Sequence, residues 1–501
     1  MNPHSSNGQP QFLHDFLDLA YDKQPDAVAV RDAMRDWRVS DLSERSYEIT
    51  QWLLEQGVRP GERVVVQAAS DGELVALMCA VSRIGAIFVP LNPGMKPFQL
   101  SRVIKDVDPV VILGSESSLE NLRSAVTMPV HDLTQLVPQS AGHLEVAVDD
   151  LKPTDIAVIV YTSGSTLLPK GVIEPHAQIV FATLTLVQSL GYRKGDVVFC
   201  RFPLSWDYGL YKVLMCLAAN AQIVLADQGS DLQLIEAIAE CQATVIPVVP
   251  SLASMILTLA RHRTEPIAPV RLITNTGAAL PDSVIVGLRK LFPGALVIRQ
   301  FGQTECKRIS VMPPDQDDQR PGAVGLPLAG TRVSIESVDG GELPPGEVGE
   351  IVVRGPHVMA GYWNNPEQTA HSFAVDPDGT RVLHTGDYGS MDEDGYLYFE
   401  GRRDDMFKRK GIRVSSLEIE AAALDVAGIH EAAVLPPTEN GDMAIFVVAD
   451  LTEHEVLRAL AERLESAKVP ATCLLLDQMP LTQHGKVSVE ALRSLLTGAP
   501  A

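Results

Sequence analysis

The chain has 501 residues, 46% hydrophobic and 21% charged, and its 63 acidic against 41 basic side chains give a formal net charge of −22. That length exceeds one ordinary domain, and the apolar share is ample for a large core. The acidic balance argues against nucleic acid or an anionic membrane as the main partner.

Residues 1–10 are polar and lack an apolar h-region, so a disordered tail and no signal peptide are expected. No apolar run approaches the ~18 residues of a membrane span, and a cytoplasmic location is expected. From there the chain alternates short apolar runs with amphipathic stretches. A helix is predicted over 12–20, a strand over 63–67, a helix over 73–82, a strand over 87–91, a helix over 98–105 and a strand over 110–113. After a polar loop the pattern resumes with strands over 197–201, 222–225, 244–249, 270–274 and 295–300, and a helix over 210–217. This alternation predicts an α/β domain of several layers with mainly parallel sheets. Near Arg332 the texture changes to short strands with glycine turns, over 333–336, 350–354 and 396–399, which reads as a β-rich subdomain at about 331–400. The charged run at 402–404 reads as a hinge centred on Asp404, and 11–401 as one large N-terminal domain. Residues 405–501 read as a small α+β C-terminal domain, with helices over 417–425 and 453–466 and strands over 431–434, 443–448 and 473–476. Thr452 followed by Glu455 is a capping-box pattern for the second helix. The six cysteines (Cys79, Cys200, Cys216, Cys241, Cys306, Cys473) show no CxxC or CxxH spacing, so buried free thiols are expected rather than a disulfide framework or zinc site.

The chemistry concentrates first at Tyr161-Thr162-Ser163-Gly164-Ser165-Thr166-Leu167-Leu168-Pro169-Lys170-Gly171, after the apolar run 156–160. Hydroxyls, glycines and one cation in a tight turn suit a polyphosphate, supplying donors and positive charge where oxygens crowd. The order differs from a Walker loop, which ends in Gly-Lys-Ser/Thr. Five later stretches accompany it: Asn275-Thr276-Gly277-Ala278-Ala279-Leu280; Gln300-Phe301-Gly302-Gln303-Thr304-Glu305; the run from Gly341-Glu342-Leu343 to Gly361-Tyr362-Trp363; His384-Thr385-Gly386-Asp387 with Gly401-Arg402; and Pro480-Leu481-Thr482-Gln483-His484-Gly485-Lys486. Each alone is weak, and Thr-Gly-Asp is a common turn.

In this order the six stretches closely resemble the adenylate-forming superfamily of acyl-CoA synthetases, luciferases and adenylation domains of nonribosomal peptide synthetases. The resemblance runs across most of the chain and implies a mobile C-terminal domain. It assigns Thr162, Ser163, Gly164, Ser165, Thr166 and Lys170 to the ATP phosphates. Gly277, Ala278, Ala279, Phe301 and Gly302 fall to adenine, and Thr304 to the α-phosphate. Glu305 is implied as the Mg²⁺ ligand, Asp387 and Arg402 as the ribose grip, and Lys486 as the catalytic lysine reaching across the domains. The run through Tyr362 is implied as scaffold only. Leu167 departs from the family pattern, which expects glycine there. Residues 406–414 resemble a hairpin lining a thiol tunnel. Six basic residues from Arg402 to Arg413, against Asp404 and Asp405, suit a phosphopantetheine group or an acidic carrier protein. A solvated hairpin accounts for the same residues equally.

The substrate signal is Trp206-Asp207-Tyr208-Gly209. Many acyl-CoA synthetases have histidine at the tryptophan, whereas amino-acid adenylation domains have an aromatic there, followed by an aspartate that pairs with the substrate ammonium. The resemblance therefore favours an amino-acid substrate, with Trp206, Asp207, Tyr208, Tyr211, Thr276, Gln300 and Arg308 lining its pocket. Capping of the following helix is the alternative role for Asp207. Arg308 faces either a substrate carboxylate or a nearby protein acid. The expected reaction forms an aminoacyl-adenylate and pyrophosphate from ATP, then passes the acyl group to a phosphopantetheine thiol on a separate carrier protein, since no carrier module follows Lys486. An acyl- or aryl-CoA ligase is the second expectation. A catalytically weak binding protein on the same fold, supported by Leu167 alone, is the third.

Overall fold

The computed structural model describes residues 8–139, 150–162, 169–226, 231–261, 269–314, 316–402, 406–409, 412–437, 442–464, 468–482 and 487–497, with the single residues 263, 267 and 466. Ser163, Gly164, Ser165, Thr166, Leu167, Asp404 and Lys486 lie outside the described residues.

Two large sheets carry the N-terminal part. The six-stranded sheet has the order Val130–Asp132, Val111–Gly114, Arg63–Gln67, Ile87–Leu91, Ile156–Thr162, Lys170–Pro175. Its strands are parallel until the last pair, which is antiparallel. The central strands read as unbroken apolar runs because both faces are covered, and Val64, Val65 and Val66 are all buried. The second sheet has a parallel half ordered Leu296–Phe301, Leu272–Asn275, Val245–Val248, Val197–Cys200, Gln222–Leu225, Val28–Arg31.

The region expected as a β-rich subdomain is not a detached sheet. Ser310–Val311 pairs antiparallel with Leu296–Phe301 and passes the ladder through Ala323–Pro327, Leu397–Arg402, Arg381–Met391 and Gly349–Arg354 to Arg332–Glu336. The path goes from parallel to antiparallel at Ser310–Val311, ahead of the change of texture at Arg332, whose strand ends the path. The antiparallel part still has a core of its own, built on Ile335, Ile351, Val353, Leu383 and Leu397. This continuity sets Phe301 and Glu305 beside Asp387 and Arg402.

In the C-terminal part, Ile429–Leu435 and Ala444–Ala449 pair antiparallel, and Thr472–Leu475 adds in parallel. The expected capping box is present: Thr452 Oγ1 accepts from the Glu455 N–H at 3.4 Å, and the Glu455 carboxylate accepts from the Thr452 N–H at 2.9 Å. That helix stops at Ala461, short of the predicted 466. The first helix runs Asp15–Lys23, later than the predicted 12–20. The Asp15 carboxylate accepts from the Gln11 and Phe12 N–H groups and holds those residues in a turn ahead of the helix. All six cysteines are free, and all but Cys241 are buried.

Candidate active site

Thr162 ends one strand and Lys170 begins its antiparallel neighbour, as register partners. The Lys170 Nζ stands 5.4 Å from the centre of the Tyr362 ring. The Tyr362 hydroxyl in turn donates to Glu305 Oε1 at 2.7 Å. Burial and the Glu305 charge push the Tyr362 phenol above its usual pKa, so it stays a donor. Backbone bonds fix the arrangement: Trp363 N–H to Gly171 O at 2.7 Å, Ile173 N–H to Gly361 O at 2.9 Å, and Met359 N–H to Glu305 O at 2.9 Å. The Gly361-Tyr362-Trp363 stretch, expected as scaffold, thus joins Lys170 to the candidate metal carboxylate of Glu305. No sequence pattern placed Tyr362 there. Glu305 fits a magnesium ligand: it is a half-buried oxygen donor, steadied through one oxygen by the Tyr362 hydroxyl.

Asp387 and Arg402 face each other across neighbouring strands as register partners. Arg402 Nε lies 3.3 Å from Asp387 Oδ1. Asp387 is buried on an interior strand of the sheet and Arg402 is exposed, so the carboxylate has its counter-charge on the outside. The Gln303 amide donates to Thr385 O at 3.4 Å, and the Thr385 hydroxyl accepts from the Asp387 N–H at 3.0 Å. These bonds tie the Gly302–Thr304 turn to the expected ribose grip. Phe301 is half-buried and packs one face on Phe399 at 4.8 Å between ring centres. Gly277 has φ +89°, a left-handed conformation that favours glycine, and Gly277, Ala278 and Ala279 are exposed. The backbone of that turn is therefore open to a flat ligand, and Thr304 is half-buried nearby in sequence to Phe301.

On the substrate side the structure corrects one alternative and adds a residue. Asp207 does not cap its helix: the cap of Asp207–Ala219 is Trp206, without a side-chain capping bond. Asp207 Oδ2 instead lies 3.1 Å from the Lys307 Nζ, and its side chain is 21% exposed against 2% for Lys307. Lys307 was not foreseen. Its φ of +61° is uncommon for a residue with a side chain, and this strained turn aims the ammonium back into the core. Burial lowers the Lys307 pKa to about 8, against the opposing pull of Asp207.

The Tyr208 hydroxyl donates to Thr274 O at 3.1 Å. The Tyr211 hydroxyl donates to Glu174 Oε2 at 3.1 Å, and Tyr211 has no exposed surface, so it backs the pocket rather than lining it. Arg308 is buried and donates from Nη1 to Thr276 Oγ1 at 2.8 Å. Among the described residues no carboxylate lies within ion-pair distance of Arg308, and its Nε has no hydrogen-bond partner. The buried Gln300 side chain likewise has neither amide atom paired among the described residues. Trp206 is half-buried, 6.3 Å from Phe202 between ring centres.

Residues 17–363 match the family model for AMP-binding enzymes, and residues 418–486 match that for the AMP-binding enzyme C-terminal domain. The chain belongs to the AMP-binding enzyme family. Tyrocidine synthase 3 of Brevibacillus parabrevis is 29% identical over 96% of this chain, which spans 8% of that protein's length. L-proline--[L-prolyl-carrier protein] ligase of Pseudomonas fluorescens is 28% identical over 97% of this chain and 100% of its own length. Feruloyl-CoA synthase of an Amycolatopsis species is 28% identical over 92% of this chain and 94% of its own. Among solved structures, the complex of VinN with L-aspartate is 45% identical, covering 78% of this chain and 98% of VinN at a TM-score of 0.71. In this AMP-binding enzyme, the mixed α/β fold with a large sheet domain and a smaller C-terminal part is shared with such neighbours. No helix among the described residues is long and apolar enough to cross a membrane.

Proposed function

We propose that this AMP-binding enzyme is an AMP-forming ligase that adenylates an amino acid carrying a second carboxylate. The observation that carries this reading is the pairing of opposite charges on the substrate side. Asp207, partly exposed, suits an ammonium. Arg308, buried with a single polar partner among the described residues, suits a carboxylate. A buried cation without a protein acid is costly, and an anionic substrate group offsets that cost. VinN, whose structure was solved with L-aspartate, supports the same class.

In the proposed reaction a substrate carboxylate oxygen attacks the α-phosphorus of ATP, forming the acyl–AMP bond and releasing pyrophosphate. Thr162, Lys170 and Thr304 bind phosphate oxygens, Asp387 and Arg402 hold the ribose, and Phe301 with Gly277, Ala278 and Ala279 encloses the adenine. Magnesium, held by Glu305, neutralises phosphate charge when bound. Lys486 stabilises charge developing on the bridging oxygen. A thiolate then displaces AMP to give the thioester. The acceptor is proposed as a phosphopantetheine thiol on a carrier protein, as the name of the prolyl-carrier ligase indicates for that relative. Coenzyme A is the competing acceptor, on the strength of feruloyl-CoA synthase.

Pyrophosphate exchange across acidic amino acids, neutral amino acids, fatty acids and aryl acids tests the reading. Exchange with acidic amino acids above all others is expected. Exchange confined to acids without an amino group sinks it. Lys486→Ala is expected to abolish exchange while leaving ATP binding, and near-normal exchange in that variant refutes the role of Lys486.

A further inference from the structure

Behind Asp207 lies a charged cluster that the proposed chemistry does not use. Glu174, in the strand Lys170–Pro175, is fully buried. Its Oε2 accepts from the Tyr211 hydroxyl at 3.1 Å, and its Oε1 has no partner among the described residues. The Lys307 Nζ sits 4.2 Å from the centre of the Tyr211 ring and 3.1 Å from Asp207 Oδ2. Glu174, Tyr211, Lys307 and Asp207 thus form one chain of contacts running outward to the half-buried carboxylate. A strand position this deep ordinarily holds an apolar residue, and a half-satisfied carboxylate there destabilises the fold.

We propose that Glu174 is a positioning residue for the substrate amino group: through Tyr211 it holds Lys307 against Asp207, and it releases a proton when an ammonium docks on Asp207. This rests on the amino-acid reading given above. Two carboxylates, Asp207 and Glu174, share one ammonium, Lys307. While the site is empty, the Asp207–Lys307 pair is neutral and Glu174 holds its proton. An arriving ammonium draws Asp207 away from Lys307, and ionised Glu174 restores the balance. Only the Glu174 O–H bond breaks, and the proton passes to solvent.

The groups facing Glu174 pull in both directions, and the raising ones win. Burial first, then Asp207, raises its pKa to about 8, and Glu305 adds to the rise, while Lys307 and Tyr211 oppose it. Arg308 repels Lys307 from its other side. An added positive charge favours the carboxylate, so substrate affinity rises with pH through this range.

The test is the Michaelis constant (KM) for L-aspartate in pyrophosphate exchange between pH 6.5 and 8.5. In the unaltered chain it falls as pH rises. Glu174→Gln, which mimics the neutral carboxyl in shape, flattens that profile and raises this constant about tenfold at pH 8.5, with the value for ATP within about twofold. Tyr211→Phe acts in the same direction, and the double variant is no worse than either single one. Tyr211→Phe alone carries the test if Glu174→Gln fails to fold. A Glu174→Gln variant that keeps the pH profile overturns the proposal and leaves Lys307 as the proton source. Equal losses toward ATP and L-aspartate overturn it in favour of a purely structural role. Exchange by the unaltered chain only with acids lacking an amino group instead brings down the amino-acid reading, and this proposal with it.

Discussion

Asp207 and Lys307 are 100 positions apart in sequence and 3.1 Å apart in space. The carboxylate is already paired when no substrate is present, so on the proposed amino-acid reading an incoming ammonium competes with an internal one. Such competition sharpens selectivity: a plain acyl substrate offers nothing to exchange for the broken pair. Asp207→Ala is accordingly expected to raise KM for an amino acid by tenfold or more and to change that for ATP by less than about twofold. Steady-state exchange kinetics in both substrates check this, and equal effects on both count against an ammonium role. Asp207 was legible from its place after Trp206 in a resembling motif. Lys307 was not, because nothing local to Cys306-Lys307-Arg308 marks a lysine that turns inward through a positive φ.

The helix Asp207–Ala219 owes its seat to Gly209. A Cβ there would stand 2.3 Å from Pro203 O and 2.6 Å from Phe202 O, both backbone atoms of the preceding loop. That close approach presses the first turn of the helix onto the loop and so fixes where Asp207 emerges. Gly209→Ala is expected to cost about 1–3 kcal/mol of stability through overpacking, to lower the melting temperature, and to weaken amino-acid binding more than ATP binding. Thermal unfolding and the two Michaelis constants check it, and an unchanged melting temperature would mean the loop yields freely. The Gly361-Tyr362-Trp363 stretch works at the same scale. The resemblance implied scaffold only for it, and pairing with the Lys170–Pro175 strand gives Tyr362 its reach to Lys170 and Glu305.

Across the whole molecule, one buried histidine links distant segments and sets a pH dependence. His176 Nδ1 accepts the Leu13 N–H at 3.1 Å, tying the N-terminal turn to the helix His176–Leu190. Burial lowers the His176 pKa to about 4. Above pH 6.5 the imidazole is neutral in both folded and unfolded chains and contributes no pH dependence. Below it the unfolded chain takes up a proton that the folded one refuses, so stability falls as pH drops from 6.5 toward 4. His176→Asn is expected to be destabilising at pH 7.5, and its deficit should narrow by about 2 kcal/mol at pH 5. Urea unfolding of both proteins at the two pH values measures this. The comparison isolates His176 from Asp71, whose raised pKa acts in the opposite sense. A deficit that stays constant with pH refutes the assignment.

The sequence by itself determined the order of elements, the parallel α/β architecture and the set of motifs that identifies the family. Those features are local: apolar runs, turn glycines, hydroxyls and charges at short spacing. Thr162, Lys170, Thr304, Glu305, Asp387 and Arg402 were named through the family resemblance that those motifs carry, and their roles are proposals. Only the tertiary structure decided that the antiparallel strands from Ser310 to Arg402 continue the parallel sheet, that Tyr362 bridges Lys170 and Glu305, and that Glu174 and Lys307 stand behind Asp207. These are pairings between segments many tens of residues apart. Backbone propensity and side-chain pattern fix what each segment offers. Which buried charge meets which is fixed by the sheet that brings their strands together.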